Sequence, residues 1–102
     1  MFTITFTCTR PDVSAPFYHD SPSSIAAISA LSTIRSAAQP GSLTYSNTMS
    51  LDELTYVGVY EFIDLAAEEQ FTVDLLNSYP AFYEERDVYY TAHGHTMDIV
   101  FS

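Results

Sequence analysis

The chain contains no lysine and no tryptophan, and Cys8 is its single cysteine. Three arginines stand against thirteen Asp and Glu residues, which gives a formal net charge of −10 at pH 7. Because proteins bind phosphate backbones by neutralising them with Lys and Arg, direct nucleic-acid binding is not expected. For the same reason we expect no attraction to anionic membrane surfaces. The acidic charge suits either long-range attraction of a basic protein partner or simple solubility.

Long apolar segments are also missing. No apolar run approaches the roughly 18 residues of a transmembrane helix, so no membrane span is expected. The N-terminus has no basic segment followed by an apolar stretch, so no signal peptide is expected. A lone cysteine excludes an internal disulfide, which fits a reducing cytoplasm. The apolar fraction of 47% is typical of a globular protein, and residues 1–102 suit a single domain.

Four segments have the pattern of β-strands. Residues 2–9 alternate apolar side chains with four threonines, and residues 42–49 and 95–102 show the same period of two. This alternation is the signal of a half-buried strand. Residues 54–63 are instead apolar on both sides, which is typical of a strand in the middle of a sheet.

Three helices are predicted between these strands. The first begins with Ser21 as its N-cap, presents an apolar stripe at helical spacing, and ends before Pro40. Asp64 is a suitable N-cap for the second helix. The third opens at Pro80 and ends at Gly94, because proline is favoured at the first helical turn and glycine after the last.

The element order predicts an α+β fold. Right-handed crossovers convert strand, helix, strand, strand, helix, helix, strand into a four-stranded antiparallel sheet with helices on one face. This is the ferredoxin-like arrangement βαββα(α)β, in which the first and third strands are central.

The sheet face without helices would carry the threonines of the first strand. Only Asp98 and Glu61 could place a charge there, and Glu61 only if Val57 and Val59 point outward, which the two-sided pattern leaves open. Because threonine has good strand propensity, the face could be solvated. Alternatively, a second copy could cover it, burying methyl groups and pairing hydroxyls. The candidate dimer face comprises Thr3, Thr5, Thr7, Thr44, Val57 and Val59.

With this layout, an uncharged outer face and a helix inserted before the last strand, the chain resembles the dimeric α+β barrel group of ferredoxin-like proteins. The resemblance covers essentially all 102 residues. Because proteins of that group are dimeric, the resemblance implies a homodimer. The group includes cofactor-free monooxygenases and small-molecule degradation proteins. No active-site motif of the group is matched, and no functional residue is carried over.

The third predicted helix is the most distinctive candidate for binding. Glu84 and Asp87 lie away from its aromatic face, so Arg86 is expected among aromatic rings. An arginine framed by rings can bind a carboxylate, and Tyr and Arg are enriched in interface hot spots. Alternatively the face packs on the body of the fold, with Arg86 pairing with an acid such as Asp98. The candidate binding residues are Phe82, Tyr83, Arg86, Tyr89, Tyr90 and His93.

A metal site is considered at His93, His95 and His19. Gly94 would splay the first two rings apart, and no Cys/His spacing supports such a site. We therefore expect no metal, no cofactor and no catalytic residue. Cys8 lies on the inward row of its strand, where a thiol behaves as a small hydrophobe.

Three hypotheses for function remain. The first is a cytoplasmic, homodimeric, acidic interaction or regulatory protein, not an enzyme, that acts on a basic or nucleic-acid-handling protein; a viral or accessory modulator is its extreme form. The second is a dimeric α+β barrel enzyme or small-molecule binder, similar to cofactor-free monooxygenases. The third is a structural subunit. The second requires a cavity of at least roughly 300 Å³, and a fully packed core would exclude it. The cavity lining would include Tyr45, Tyr56, Tyr60, Arg86, Tyr89 and His93.

Overall fold

The strands and helices follow one another in the predicted order. The computed structural model describes all 102 residues. Its main elements are β1 (Phe2–Thr9), α1 (Ile25–Ala38), β2 (Leu43–Met49), β3 (Thr55–Phe62), α2 (Leu65–Ser78), α3 (Phe82–His93) and β4 (Thr96–Phe101). None of the three helices has the length and apolar content required to cross a bilayer.

The four strands form one antiparallel sheet in the order β2-β3-β1-β4. The first and third strands are therefore central, and the predicted ferredoxin-like arrangement is confirmed. This order follows from right-handed crossovers, which carry α1 and the α2–α3 pair back over the same face of the sheet.

The strand register decides which side of β3 faces outward. Ile4 of β1 lies opposite Tyr60, and Thr5 lies opposite Val59. Directly opposed residues share a face of the sheet, so the tyrosine row of β3 joins the apolar row of β1 under the helices. Val57 and Val59 join the threonines on the outer face.

Local capping signals place most helix ends. The Ala67 N–H donates to Asp64 Oδ1 at 2.8 Å, and Gly94 adopts the left-handed conformation with φ 75° after α3. Both caps are confirmed. Ser21 accepts a bond from the Ser23 N–H, but the turn that it caps is a short 3-10 helix, Pro22–Ser24. The regular α-helix consequently begins at Ile25, later than predicted, and α3 likewise begins two residues after Pro80.

The segment between β1 and α1 supplies core residues. A 3-10 turn covers Tyr18–Asp20, and Phe17 and Tyr18 are both buried. This burial has no periodic signal in the sequence, because the segment is too short to repeat a pattern.

The core lies between the inner face of the sheet and the helices. Cys8 is fully buried on the inner row of β1, as predicted, and burial raises the pKa of its thiol to about 11. The thiol therefore stays protonated and packs as a small apolar group. The other buried hydrophobic residues are Phe17, Tyr18, Ala27, Leu31, Leu43, Phe62, Phe71, Leu75, Phe82 and Tyr90.

Candidate functional site

A cavity of about 740 Å³, partly open to solvent, lies between the sheet and the helices. Its walls come from the inner rows of all four strands, from α1, α2 and α3, and from the 3-10 turn at Tyr18 and His19. Sixteen of the 24 lining residues are hydrophobic. The volume lies within the range of about 300–1,000 Å³ that is typical of small-molecule sites.

Gly58 forms part of the floor of the cavity. It lies on the inner row of β3, where its neighbours are the tyrosines on either side. A Cβ added there would meet ring carbons of Tyr56 at 3.5 Å and Tyr45 at 3.6 Å, which are ordinary contacts. Alanine would therefore fit, whereas a longer side chain would extend into the cavity.

Tyrosine hydroxyls form one polar group in the cavity wall. The hydroxyls of Tyr45 and Tyr56 are hydrogen-bonded to each other, and Asn47 Nδ2 donates to Tyr45 Oη at 3.3 Å. Burial, reinforced by the bond to Tyr45, raises the pKa of Tyr56. The Tyr56 hydroxyl is therefore protonated at neutral pH and can donate a hydrogen bond.

Arg35 brings a positive charge to this tyrosine group. It projects from the last turn of α1, four residues after buried Leu31, and therefore lies on the inner face of the helix. Its guanidinium carbon lies 4.1 Å from the ring centroid of Tyr45, and Nη1 donates to Tyr60 Oη at 3.2 Å. Arg35 is therefore held by two tyrosines.

His19 closes the same part of the wall. Its ring lies 4.7 Å from that of Tyr56, centroid to centroid, and its Nε2 lies 3.5 Å from Asp20 Oδ2. Burial lowers the pKa of His19; Asp20 raises it, and the charges of Arg35 and Arg10 lower it further. The imidazole is therefore neutral at pH 7, with one donor and one acceptor nitrogen.

Arg86 approaches the cavity from α3. Its guanidinium carbon lies 5.1 Å from the ring centroid of Tyr83, 5.2 Å from that of Phe6 and 6.0 Å from that of Phe82. Only 13% of the side chain is exposed. The predicted placement of Arg86 among aromatic rings is thus found in the structure.

The surroundings of Arg86 differ from the sequence prediction in two details. Arg86 Nε donates to Asp87 Oδ1 at 3.2 Å, and Asp87 also lines the cavity, although it was predicted to lie away from this face. The alternative partner, Asp98, lies opposite Thr7 on the outer face of the sheet. The sheet itself therefore separates Asp98 from Arg86.

The predicted binding residues divide into two groups. Phe82, Tyr83, Arg86 and Tyr90 line the cavity, whereas Tyr89 and His93 do not. The Tyr89 hydroxyl donates to the Pro16 carbonyl at 2.6 Å, and the His93 ring stacks on Tyr89 at 4.1 Å. These two side chains join the C-terminal end of α3 to the segment that precedes α1.

His95 lies near that junction and outside the cavity. It is 8% exposed, packs against the rings of Phe17, Tyr89 and Tyr90, and has no hydrogen-bond partner at either ring nitrogen. Burial lowers the pKa of His95. The side chain consequently behaves as a neutral, mostly apolar ring.

Among the cavity residues, His19 was considered from the sequence only as a metal ligand, and Arg35 and Gly58 were not considered as site residues. Two of them carry a detectable signal. A glycine inside an otherwise apolar strand indicates a close approach or open space above the backbone, which applies to Gly58. A charged residue four positions after a core leucine indicates a polar group on the buried face of a helix, which applies to Arg35. His19 lies in a segment without periodicity, so no pattern marked it.

The predicted dimer face is assembled on one side of the molecule. Its six residues lie on the outer rows of β1, β2 and β3, where the helices do not reach. Glu61, opposite Thr3, and Asp98, opposite Thr7, are the acidic residues of this face. The face therefore has little charge in a protein with a net charge of −10.

A solved structure shares this architecture. A dimeric ferredoxin-like protein from an uncultured marine organism superposes with a TM-score of 0.61 at 14% sequence identity, covering 99% of this chain and 92% of that chain. The fold is ferredoxin-like. A hydantoinase/carbamoylase family amidase from Burkholderia ambifaria matches with a TM-score of 0.44 at 12% identity, covering 99% of this chain and 27% of the amidase. No family model and no curated protein matches the sequence.

Proposed function

We propose that this protein is a homodimer that binds a small apolar molecule in the cavity between its sheet and its helices. The cavity of about 740 Å³ is the observation that carries the proposal. The space is partly open to solvent, so a ligand could reach its apolar walls. A space of this size, walled mainly by hydrophobic side chains, is therefore typical of a ligand site.

A few polar groups at the wall would orient such a ligand. Arg35, His19 and the hydroxyls of Tyr45 and Tyr56 meet at one part of the cavity, and Arg86 contributes from α3. Small-molecule sites combine an apolar lining with a small number of donors and acceptors in this way. Binding would then depend on both shape and hydrogen bonding.

The homodimer is proposed for the outer face of the sheet. Two copies that each carry a net charge of −10 repel one another, and this repulsion is smallest where they meet through a surface with few charges. The threonine and valine rows of β1 and β3 provide such a surface, and valine and threonine methyl groups pack well between two sheets. The neighbour from the marine organism, which shares the fold, is described as dimeric.

The cavity proposal can be tested with a neutral apolar dye, N-phenylnaphthylamine, whose fluorescence rises in apolar surroundings. We expect saturable binding to the wild-type protein and at least about tenfold weaker binding to Gly58→Leu, because the leucine side chain occupies the cavity floor. Gly41→Leu introduces the same side chain in an exposed turn and is expected to bind like wild type. Absence of saturable binding to the wild type would overturn the proposal.

Acidity supports a second candidate, the cytoplasmic regulatory protein that acts on a basic or nucleic-acid-handling partner. The chain has thirteen acidic residues and no lysine, a balance that favours electrostatic attraction of a basic protein. Affinity capture from lysate at low and high salt tests this function. A basic protein captured at low salt and released at high salt supports it, and capture that is indifferent to salt contradicts it.

A further inference from the structure

We infer that the ligand of this cavity carries a carboxylate and that the guanidinium of Arg86 binds it. The inference rests on the proposed binding function and adds the chemical class of the ligand: an anion with a flat apolar body. It follows from the hydrogen-bonding state of Arg86, from the rings around that residue, and from a comparison with the second arginine of the same cavity.

Arg86 is a largely buried cation whose hydrogen-bonding capacity is mostly unused. The guanidinium has five N–H donors, and the single hydrogen bond that it makes is the one from Nε to Asp87. The four donors on Nη1 and Nη2 have no protein partner, although only 13% of the side chain is exposed. His95 carries the only side-chain nitrogens that are both shut off from solvent and unpaired, so Nη1 and Nη2 of Arg86 still reach water at the cavity. A ligand acceptor can take the place of that water.

Asp87 compensates this charge only in part. The Asp87 side chain is 53% exposed, so solvent screens its interaction with Arg86. The bond also uses Nε, at the inner edge of the guanidinium, and leaves Nη1 and Nη2 free. Two parallel N–H groups at this end match the two oxygens of a carboxylate, which is the geometry of bidentate recognition.

Arg35 differs from Arg86 in the use of its terminal N–H donors and in the covering of its guanidinium face. Its Nη1 already donates to Tyr60 Oη, and one face of its guanidinium is covered by the ring of Tyr45. Arg35 therefore adds positive potential to the cavity, but its terminal N–H donors are already partly used by Tyr60. This difference makes Arg35 the matched control for Arg86, since both arginines line the same space.

The surroundings of Arg86 indicate the body of the ligand. The rings of Phe6, Phe82 and Tyr83 lie within 6.0 Å of the guanidinium carbon, so the group next to the carboxylate would contact aromatic faces and edges. Flat aromatic groups pack against such rings in stacked or edge-to-face arrangements. An aromatic carboxylate thus satisfies the free donors and the apolar wall together.

The test compares naphthoate with naphthamide, two probes of nearly equal shape that differ in charge. Binding to wild type, Arg86→Met and Arg35→Met is measured by titration calorimetry. We expect wild type to bind naphthoate about tenfold more tightly than naphthamide, since hydrogen bonds between ionised partners are the stronger ones. Arg86→Met should lose this preference and still bind naphthamide. Arg35→Met removes positive potential but no free pair of N–H donors, so it should lose much less of the preference.

The possible outcomes distinguish failure of the carboxylate inference from failure of the proposed binding function. If naphthamide and naphthoate bind wild type equally well, the carboxylate inference fails and the apolar binding site stands. If the preference survives in Arg86→Met, or disappears only in Arg35→Met, Arg86 is not the anchor and the inference is overturned. If wild type binds neither probe, the inference and the proposed binding function both fail.

Naphthamide binding also shows whether the variant cavity has folded. Should Arg86→Met bind neither probe, Arg86→Lys replaces it, because lysine keeps the charge and loses the bidentate geometry. A reduced preference for naphthoate in Arg86→Lys then supports the inference, and an unchanged preference overturns it.

Discussion

His95 shows how burial changes the chemistry of one residue. Its ring is enclosed by Phe17, Tyr89 and Tyr90 without a hydrogen bond, and burial lowers its pKa below the ordinary value of 6.5. As the pH falls below 6.5, the unfolded chain takes up a proton at this residue before the folded chain does. His95 therefore favours unfolding at acidic pH, and stability that is present above pH 6.5 is lost below it.

His95→Phe is expected to reduce this acid sensitivity. Phenylalanine keeps the ring and removes two unpaired nitrogens, so at about pH 5 the variant should be more stable than wild type by about 1 kcal/mol or more. The gain should be smaller at about pH 7, where both states of the wild type have a neutral histidine. Urea unfolding at both pH values measures the difference.

His93→Phe is the control for this prediction, because His93 is exposed and two residues away. A gain at low pH in His93→Phe equal to that in His95→Phe would contradict the role of burial. His19, whose pKa burial also lowers, is expected to contribute the acid sensitivity that remains in His95→Phe.

At the scale of single elements, helix ends follow short sequence signals. Asp64 caps α2 and Gly94 ends α3, because a side-chain oxygen satisfies a free N–H at a helix start and glycine tolerates the left-handed conformation at a helix end. The side of α3 that meets the cavity was only partly predictable. A helical wheel groups Phe82 with Arg86, but it cannot show that Tyr89 turns toward Pro16 instead of the cavity.

Asp64→Ala is expected to lower the free energy of unfolding by about 1 kcal/mol, because the Ala67 N–H loses its acceptor. Asp64→Asn retains a side-chain oxygen and should lose much less. Both changes are measured by urea unfolding at neutral pH.

Asp74→Ala in the same helix is the comparison for this cap. Asp74 is exposed and accepts a bond from the Gln70 side chain, so its loss should cost less than that of the cap. Equal losses from Asp64→Ala and Asp74→Ala would argue against a specific effect of the cap.

For the whole molecule, the central question is what covers the outer face of the sheet. Thr5 lies at the middle of this face, opposite Val59 on one side and Val100 on the other. Thr5→Arg would place a charge within the proposed interface, where burying it without a partner is strongly unfavourable. We expect the wild type to sediment as a dimer and Thr5→Arg to sediment as a monomer.

Thr33→Arg is the control, since Thr33 is exposed on α1, away from the sheet. It should sediment like wild type. A wild-type protein that remains monomeric at every concentration would show that the outer face is solvated, and the proposed homodimer would be wrong. The dye and naphthoate experiments would remain informative, because the cavity lies on the other side of the sheet.

The sequence by itself determined the order of the elements, the central position of β1 and β3, and the inward row of each alternating strand. The elements and the inward rows depend on residues that are two to four positions apart, and such spacings can be read directly from the chain. The central position of β1 and β3 then follows from the element order and the right-handedness of crossovers. The sequence also predicted that Arg86 lies among aromatic residues, because the rings of Phe82 and Tyr83 belong to the same helix.

Only the tertiary structure decided the outward position of Val57 and Val59, the burial of His95 and the size of the cavity. The first depends on strand register, which pairs residues more than 50 positions apart, as Thr5 pairs with Val59. The other two depend on how far the helices stand from the sheet and on where the segment around Phe17 packs. Distances between layers result from the packing of many side chains together, so no local pattern encodes them.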